Sequence, residues 1–308
     1  MRFLGAFVLA AIATLVRAAD VDTTGGPPRK TVSVAAPSLT LLRASSPRDN
    51  GWVAVTPNFR IYWCATEGEL RSLAQRCERL AAASKKTWLG KDRSPVWLPQ
   101  CDVVVHPDVA EYVQFLGPGS EQTSGCATIR LEEGRVVARR IDLRADGLDW
   151  KSETLPHELT HVVLADRFCR TQIPPWADEG IAMLAESPQK LKQRLTDLRQ
   201  VACGGLVYTP RDLINVKSSP EPAFRAAFFG QSLALVSLLL DCGSREQLLK
   251  FVEASQTKGF DAALRAVYGE QRWSQIDRQY RECVWTDRPL AWARQDTVAA
   301  ATGPRRAE

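Results

Sequence analysis

The chain has 308 residues, of which 45% are hydrophobic and 24% are charged. This composition is ordinary for a globular protein and excludes a wholly disordered chain. The net charge of +5 comes from basic residues interleaved with acidic ones, so no nucleic-acid-binding face is predicted. The length favours one large unit with two subdomains, or two small domains.

The first residues have the pattern of a secretory signal. Positive charge at Arg2 is followed by the apolar stretch Phe3 to Val16, and Ala18 is a small residue at which a signal peptidase could cut. About 14 apolar residues fall short of the roughly 20 that a membrane-spanning helix needs. We therefore expect residues 1–18 to direct export to the periplasm or the extracellular space, with no stable membrane insertion beyond this signal.

The chain contains 8 cysteines, and none of them forms a Cys-x-x-Cys pair. A zinc ribbon or a thioredoxin-type site is therefore disfavoured. An even number of cysteines in an exported chain suggests disulfides. Buried free thiols are the alternative, because Cys77 falls on an apolar stripe.

The first half of the chain alternates strand and helix patterns. Residues 19–50 are rich in Gly, Pro, Ser and Thr and are predicted to be a flexible linker, with at most one short strand. The predicted elements that follow are a strand at 59–63, a helix that ends at Gly90, a strand at 102–106, a short helix at 109–115 and a hairpin of 127–131 with 135–143. This half is α+β.

After about residue 150 the apolar periodicity becomes helical. Helices are predicted at 153–167, 176–199 with a break near Pro188, 222–241, 244–256, 260–268 and 272–284. The predicted fold class is therefore α+β, with a mixed lobe at about 51–150, a mainly helical lobe at about 151–286 and a cleft between them. Residues 287–308 are predicted to be a flexible tail.

The run His157-Glu158-Leu159-Thr160-His161 matches the His-Glu-x-x-His pattern of zinc peptidases. Residues four apart share one face of a helix, so both imidazoles can reach one ion. Glu158 points beside that ion, where it can accept a proton from water. Thr154 is the predicted N-cap of this helix, which would place Pro156 in its first turn.

A catalytic zinc needs a third protein ligand. Glu179 lies near the start of the next predicted helix and is expected to turn back towards the two histidines. Glu186, seven residues later, is expected on the same face, where it could orient a ligand imidazole. Trp176 is expected to pack in the core, and Asp178 to be solvated at the helix start.

The two motifs together, His157 to His161 and then Trp176-x-x-Glu179-Gly180, resemble the gluzincin pattern of the peptidase MA superfamily, bacterial exported branch. The resemblance extends from Phe59 to about Val284 and implies a thermolysin-like, two-lobed peptidase that acts on peptide or protein substrates. It also implies that zinc is held by the two histidines and Glu179, with Glu158 as general base. Glu186 falls where the aminopeptidase N branch carries a supporting glutamate.

The chain departs from that pattern in two places. The Gly-x-Met-Glu-Asn motif by which aminopeptidases hold a free amine is absent from the sequence, so an endopeptidase and an aminopeptidase remain equally open. Phe229 stands where relatives place an oxyanion-stabilising tyrosine, and Tyr208 or Arg225 are candidate substitutes. A structural role is favoured for His106. The alternative function is a catalytically inactive zinc-binding domain or a disulfide-stabilised exported interaction domain.

Overall fold

The computed structural model describes residues 38–43, 52–90, 96–218 and 220–285. The predicted signal, most of the predicted linker and the predicted tail lie outside these residues. The described strands are β1 (Thr40–Arg43), β2 (Trp52–Val55), β3 (Phe59–Trp63), β4 (Cys101–His106), β5 (Gly125–Glu132) and β6 (Arg135–Arg144). The described helices are α1 (Glu67–Leu89), α2 (Val109–Leu116), α3 (Leu155–Leu164), α4 (Pro175–Met183), α5 (Pro188–Ala202), α6 (Pro210–Asn215), α7 (Arg225–Asp241), α8 (Arg245–Lys258), α9 (Phe260–Tyr268) and α10 (Glu270–Trp285).

The six strands form one mixed sheet in the order β1-β2-β3-β4-β6-β5. β3, β4 and β6 run parallel, whereas β1, β2 and β5 pair antiparallel with their neighbours. The β5–β6 hairpin turns at Glu133 and Gly134, whose φ angles of 49° and 73° are the left-handed values that a tight two-residue hairpin turn requires. This topology leaves β5 at one edge of the described sheet.

The two faces of the sheet carry different chemistry. Ile141 and Leu143 of β6 belong to the apolar core that also contains residues of α1 and α3. Successive strand residues point to opposite faces. Asp142 therefore points away from that core, towards His106 and the helix α2.

The helical half is organised around α7, which is buried along most of its length. The segment Pro222–Asp241 is long and apolar enough to cross a membrane, but 67% of its most apolar window is buried inside the protein, which is the property of a core helix. Gly180 of α4 is needed at the contact, because a Cβ there would lie 2.6 Å from Val236 Cγ2 and 2.7 Å from the Ser232 carbonyl oxygen. The helices α4 and α7 thus pack backbone to backbone.

The predicted mixed sheet followed by helices is confirmed, and the residues that the structure describes form one compact unit. Two details differ from the sequence analysis. Folded structure begins before Phe59, because β1 and β2 extend the sheet beyond β3. Thr154 stands at the N-cap of α3, yet its hydroxyl bonds Ser124 Oγ at 3.0 Å instead of capping, because the preceding turn, Trp150–Thr154, is already helical.

All seven cysteines whose side chains the structure describes are free, so the structure forms no disulfide among them. The side chain of Cys283 lies outside the described ones. Cys77 and Cys101 are fully buried in the core. Burial raises the pKa of the Cys77 thiol to about 12, which leaves it a small apolar side chain rather than a reactive thiol.

Candidate metal centre

Two imidazoles project from one face of α3. His157 and His161 are four residues apart and therefore one helical turn apart. Their ring centroids lie 5.0 Å from each other, and both residues are buried. The α3 helix is thus a rigid support that presents two nitrogen ligands side by side.

Glu179 comes to the same point from α4. Its Oε2 lies 3.4 Å from His157 Nε2, and one ligand atom from each of His157, His161 and Glu179 falls within 4.8 Å of the other two. The chain reverses between α3 and α4. Gly180 allows α4 to approach α7 closely, and this contact fixes which side of α4 faces α3. The structure therefore brings together the three residues that the sequence analysis selected as ligands.

Each imidazole has a carboxylate behind it. Glu186 Oε1 lies 2.9 Å from His157 Nδ1, and Asp178 Oδ1 lies 2.9 Å from His161 Nδ1. A carboxylate at Nδ1 fixes the orientation of the ring and directs Nε2 towards a metal. The interpretation of Asp178 as merely solvated is therefore wrong: it stands in the first turn of α4, and the packing of α4 on α3 aims it at His161.

Glu186 does not lie on the face of α4, because that helix ends at Met183. It reaches His157 from the turn between α4 and α5, where it is 1% exposed. Arg194 of α5 donates two hydrogen bonds to its carboxylate, at 2.6 and 2.5 Å. Burial raises the pKa of Glu186, but His157 and Arg194 outweigh burial and lower it to about 2, so the carboxylate stays ionised. Arg194 was not identified from the sequence.

Several carboxylates surround the two imidazoles: Glu179, Glu186, Asp178 and Glu158. Burial lowers the pKa of both histidines, but the carboxylates raise it overall, to about 9 for His157 through Glu179 and Glu186, and to about 10 for His161 through Asp178 and Glu179. Such shifts show that a positive charge is strongly favoured at this point. Two imidazole nitrogens and one carboxylate oxygen are also the donor set of many catalytic zinc sites. The residues therefore fit a divalent cation such as zinc.

Glu158 lies next to this ligand set and under the edge strand. It is buried, and both its burial and the nearby Glu179 raise its pKa, while the Ala127 backbone amide of β5 donates a hydrogen bond to its carboxylate. Gly125 leaves space for it, because a Cβ there would lie 3.1 Å from Glu158 Oε1. Glu158 is thus held between α3 and β5 with a carboxylate suited to accept a proton.

The remaining sequence-selected residues have contacts of other kinds. Phe229 packs its ring 5.5 Å from the Arg194 guanidinium. Arg225 hydrogen-bonds Gln122, three residues before β5. The backbone N–H of Tyr208 donates to Gln231 Oε1 at 2.8 Å, and the backbone carbonyl of Tyr208 accepts from Gln231 Nε2 at 2.7 Å. Trp176 is fully buried and contacts Phe251.

Comparison with protein families gives a match in the C-terminal half of the chain. Residues 134–285 match the family model of the peptidase MA superfamily. A search of curated proteins gives no match. The matched region contains α3, α4 and α7, and with them both histidines, Glu158 and Glu179. This match, together with the residues that converge within it, supports the peptidase MA superfamily as the family of residues 134–285.

Proposed function

We propose that the protein is a zinc-dependent peptidase that hydrolyses peptide bonds, with Glu158 as general base. The observation that carries this proposal is the convergence of ligand atoms from His157, His161 and Glu179 within 4.8 Å, with a buried carboxylate alongside. The match to the peptidase MA superfamily supports the peptidase function. The donor set and the carboxylates around the two imidazoles support the metal.

The side chains of this centre have distinct roles in the proposal. Zinc held by His157, His161 and Glu179 would supply a Lewis acid that polarises the scissile carbonyl and lowers the pKa of water. Glu158 accepts the proton of the attacking water and returns it to the leaving amine. Its pKa, raised by burial, makes that return easier than for a solvated carboxylate.

The edge strand β5 supports an extended peptide as the substrate. The Ala127 amide points to Glu158 and therefore away from β6. Within a strand, the amide and carbonyl of one residue point to the same side, and alternate residues share that side. The free edge of β5 thus passes the base, and a peptide that pairs with this edge would carry its backbone across the centre.

The decisive experiment measures zinc content and peptide cleavage together. The purified protein is expected to bind one zinc ion and to cleave members of a broad peptide library, and a chelator should stop cleavage. Glu158→Gln should keep the zinc, because Glu158 is not a ligand, yet lose about 10²- to 10⁴-fold in rate. Wild-type cleavage by this variant would show that the base is wrongly assigned.

Glu111→Gln is a matched control for that substitution. It makes the same carboxylate-to-amide change at an exposed residue of α2, beside His106 rather than beside the zinc ligands. Zinc content and cleavage should both stay at the wild-type level. A similar loss of cleavage in both variants would indicate a general effect on folding instead of a missing base.

The observation that favours an inactive zinc-binding domain is Phe229, which offers no hydroxyl at the position expected to stabilise the oxyanion. Stoichiometric zinc with no chelator-sensitive cleavage of any peptide would support that alternative.

Export is a separate proposal that rests on the sequence of residues 1–18. Terminal sequencing of the protein recovered from the periplasm or the medium should find a mature chain that starts after Ala18.

A further inference from the structure

A cavity of about 620 Å³ lies against a face of α3 that does not carry the proposed zinc ligands. Pro156, Leu159 and Thr160 of α3 line it, together with residues of α1, of the turn after α4 and of the junction between α7 and α8. Successive residues of a helix are about 100° apart, so this face is not the one that presents His157 and His161. Small molecules bind in cavities of about 300–1,000 Å³, so the cavity can hold a ligand of its own.

The most buried side chains of the lining are mainly apolar. Leu80 and Trp88 of α1 are at most 7% exposed, and Leu159 of α3 is 1% exposed. Leu240, at the end of α7, is partly buried on another side of the cavity. Apolar atoms of a ligand would therefore leave water for apolar surroundings, which is favourable.

One buried hydroxyl of the lining has no partner. Ser84 is 6% exposed, and its Oγ has no hydrogen-bond partner among the described residues. Leu80 and Trp88, four residues before and after it, lie on the same side of α1 and line the same cavity. The Thr160 hydroxyl, by contrast, donates to the Pro156 carbonyl at 2.9 Å. An unpaired buried hydroxyl is costly, so a polar atom of a ligand would gain a hydrogen bond at Ser84.

The exposed side of the cavity lies at the start of α8 and favours an anion. The capping box of this helix pairs the Ser244 amide with Gln247 Oε1 at 2.9 Å and the Gln247 amide with Ser244 Oγ at 3.2 Å. The amides of Arg245 and Glu246 lie in the first turn, where no intrahelical acceptor exists and the helix dipole attracts negative charge. The Arg245 guanidinium, 5.9 Å from the centroid of the Trp88 ring, adds a full positive charge.

Glu246 is the acidic residue among the described residues of the lining, and its charge is balanced from outside the cavity. Arg167 donates to its two carboxylate oxygens at 2.7 and 3.2 Å. The Lys250 ammonium lies 3.8 Å from the same carboxylate. The positive charge of Arg245 is therefore left for a ligand.

We propose that this cavity is a second ligand site, separate from the metal centre, which binds a small anionic amphiphile. A carboxylate or sulfonate group would lie at Arg245 and the start of α8, and the apolar body of the ligand would pack beside Trp88 and Leu159. The proposal does not depend on the proposed peptidase function, because it concerns binding at other residues.

The test compares two fluorescent probes of similar shape, the anionic anilinonaphthalene sulfonate and the uncharged phenylnaphthylamine. Both should bind the purified protein saturably at one site, with zinc bound and after a chelator has removed it. Arg245→Gln should weaken binding of the anionic probe about 10-fold, because hydrogen bonds to its charged group are lost. The same variant should leave binding of the uncharged probe unchanged, and Arg245→Lys should keep most of the affinity for the anionic one.

Arg211→Gln is the matched control for the charge. It makes the same change at an exposed arginine in the first turn of α6, which is not part of the cavity lining. Binding of both probes should stay at the wild-type level.

Two further variants fill the cavity. Ser84→Phe and Leu240→Trp, each checked for folding by urea unfolding, should weaken binding of both probes at least about 10-fold, because the added ring takes the space of the ligand. The absence of saturable binding would overturn the proposal, and so would affinity for the anionic probe that survives Arg245→Gln or a folded filling variant. Binding that disappears with the zinc would place the probes at the metal centre and overturn it as well.

Discussion

His106 and the pair on α3 share a setting but differ in what it allows. All three imidazoles are buried and lie beside carboxylates. At His106 both ring nitrogens have a carboxylate, with Asp142 2.9 Å from Nε2 and Glu111 3.2 Å from Nδ1. This ring has no nitrogen left for a metal, and it joins β4 to β6 and to α2.

On α3 the carboxylates occupy Nδ1 of each ring, through Glu186 and Asp178. The ligand atoms of the two rings converge with Glu179. A buried histidine beside carboxylates can therefore serve as a metal ligand only if one of its ring nitrogens faces a point that other ligand atoms also reach. Histidine content alone does not distinguish the two cases, whereas the use of the second nitrogen does.

Removing one proposed zinc ligand should have the largest effect on zinc content and on peptide cleavage. His161→Ala or Glu179→Ala leaves two protein ligands, too few for a stable catalytic zinc site. Each variant should lose stoichiometric zinc and chelator-sensitive cleavage, measured by elemental analysis and a peptide assay. His106→Asn should keep both. Full zinc in either ligand variant would reject the proposed ligand set.

Weakening the carboxylate behind His157 should have the next largest effect. Groups behind a ligand histidine typically change metal affinity by about 10- to 100-fold. Glu186→Gln should lower zinc affinity within this range, and Arg194→Met by less, because the carboxylate would remain but lose its two hydrogen bonds. Competition with a fluorescent chelator measures both dissociation constants.

Lys190→Met is the matched control for Arg194→Met. Its ammonium lies 3.7 Å from the same Glu186 carboxylate, but the side chain is 36% exposed, and a solvated ion pair at that distance contributes little. Zinc affinity should stay close to wild type. Equal losses in the two variants would show that net charge, rather than the Arg194 geometry, tunes the centre.

Replacing His106 should affect stability and not metal. His106→Asn leaves the fully buried Asp142 carboxylate with Arg140 as its described charged partner. Loss of a hydrogen bond to a buried charged group costs about 1–3 kcal/mol. Urea unfolding should show a decrease of that size in the free energy of unfolding, with zinc affinity unchanged. A drop in zinc affinity without a change in stability would contradict the structural role.

The proposed ligands and the proposed base could be predicted from the sequence because their spacing depends on local helix geometry. Residues four apart on one helix face together wherever that helix packs, which is why His157 and His161 could be selected without a structure. Asp178 and Arg194 depend instead on how α4 and α5 pack against α3, and one sequence carries no signal for that packing. Glu186 was selected for its seven-residue spacing, yet it acts from a turn beyond the end of α4.

Asp178→Asn should have the smallest effect on zinc affinity among the changes at the proposed metal centre. It tests one variable, the exposure of the carboxylate that lies beside a ligand imidazole. Asp178 and Glu186 both lie 2.9 Å from an imidazole Nδ1, but their side chains are 28% and 1% exposed. Water can solvate the exposed part of the Asp178 carboxylate, and an asparagine oxygen can still accept a hydrogen bond from Nδ1. The loss of zinc affinity should therefore stay below about 10-fold, the lower end of the range for such groups, and below the loss for Glu186→Gln in the same competition assay. A larger loss at Asp178 than at Glu186 would mean that exposure does not rank these two supports, and that charge at the start of α4 matters more than burial.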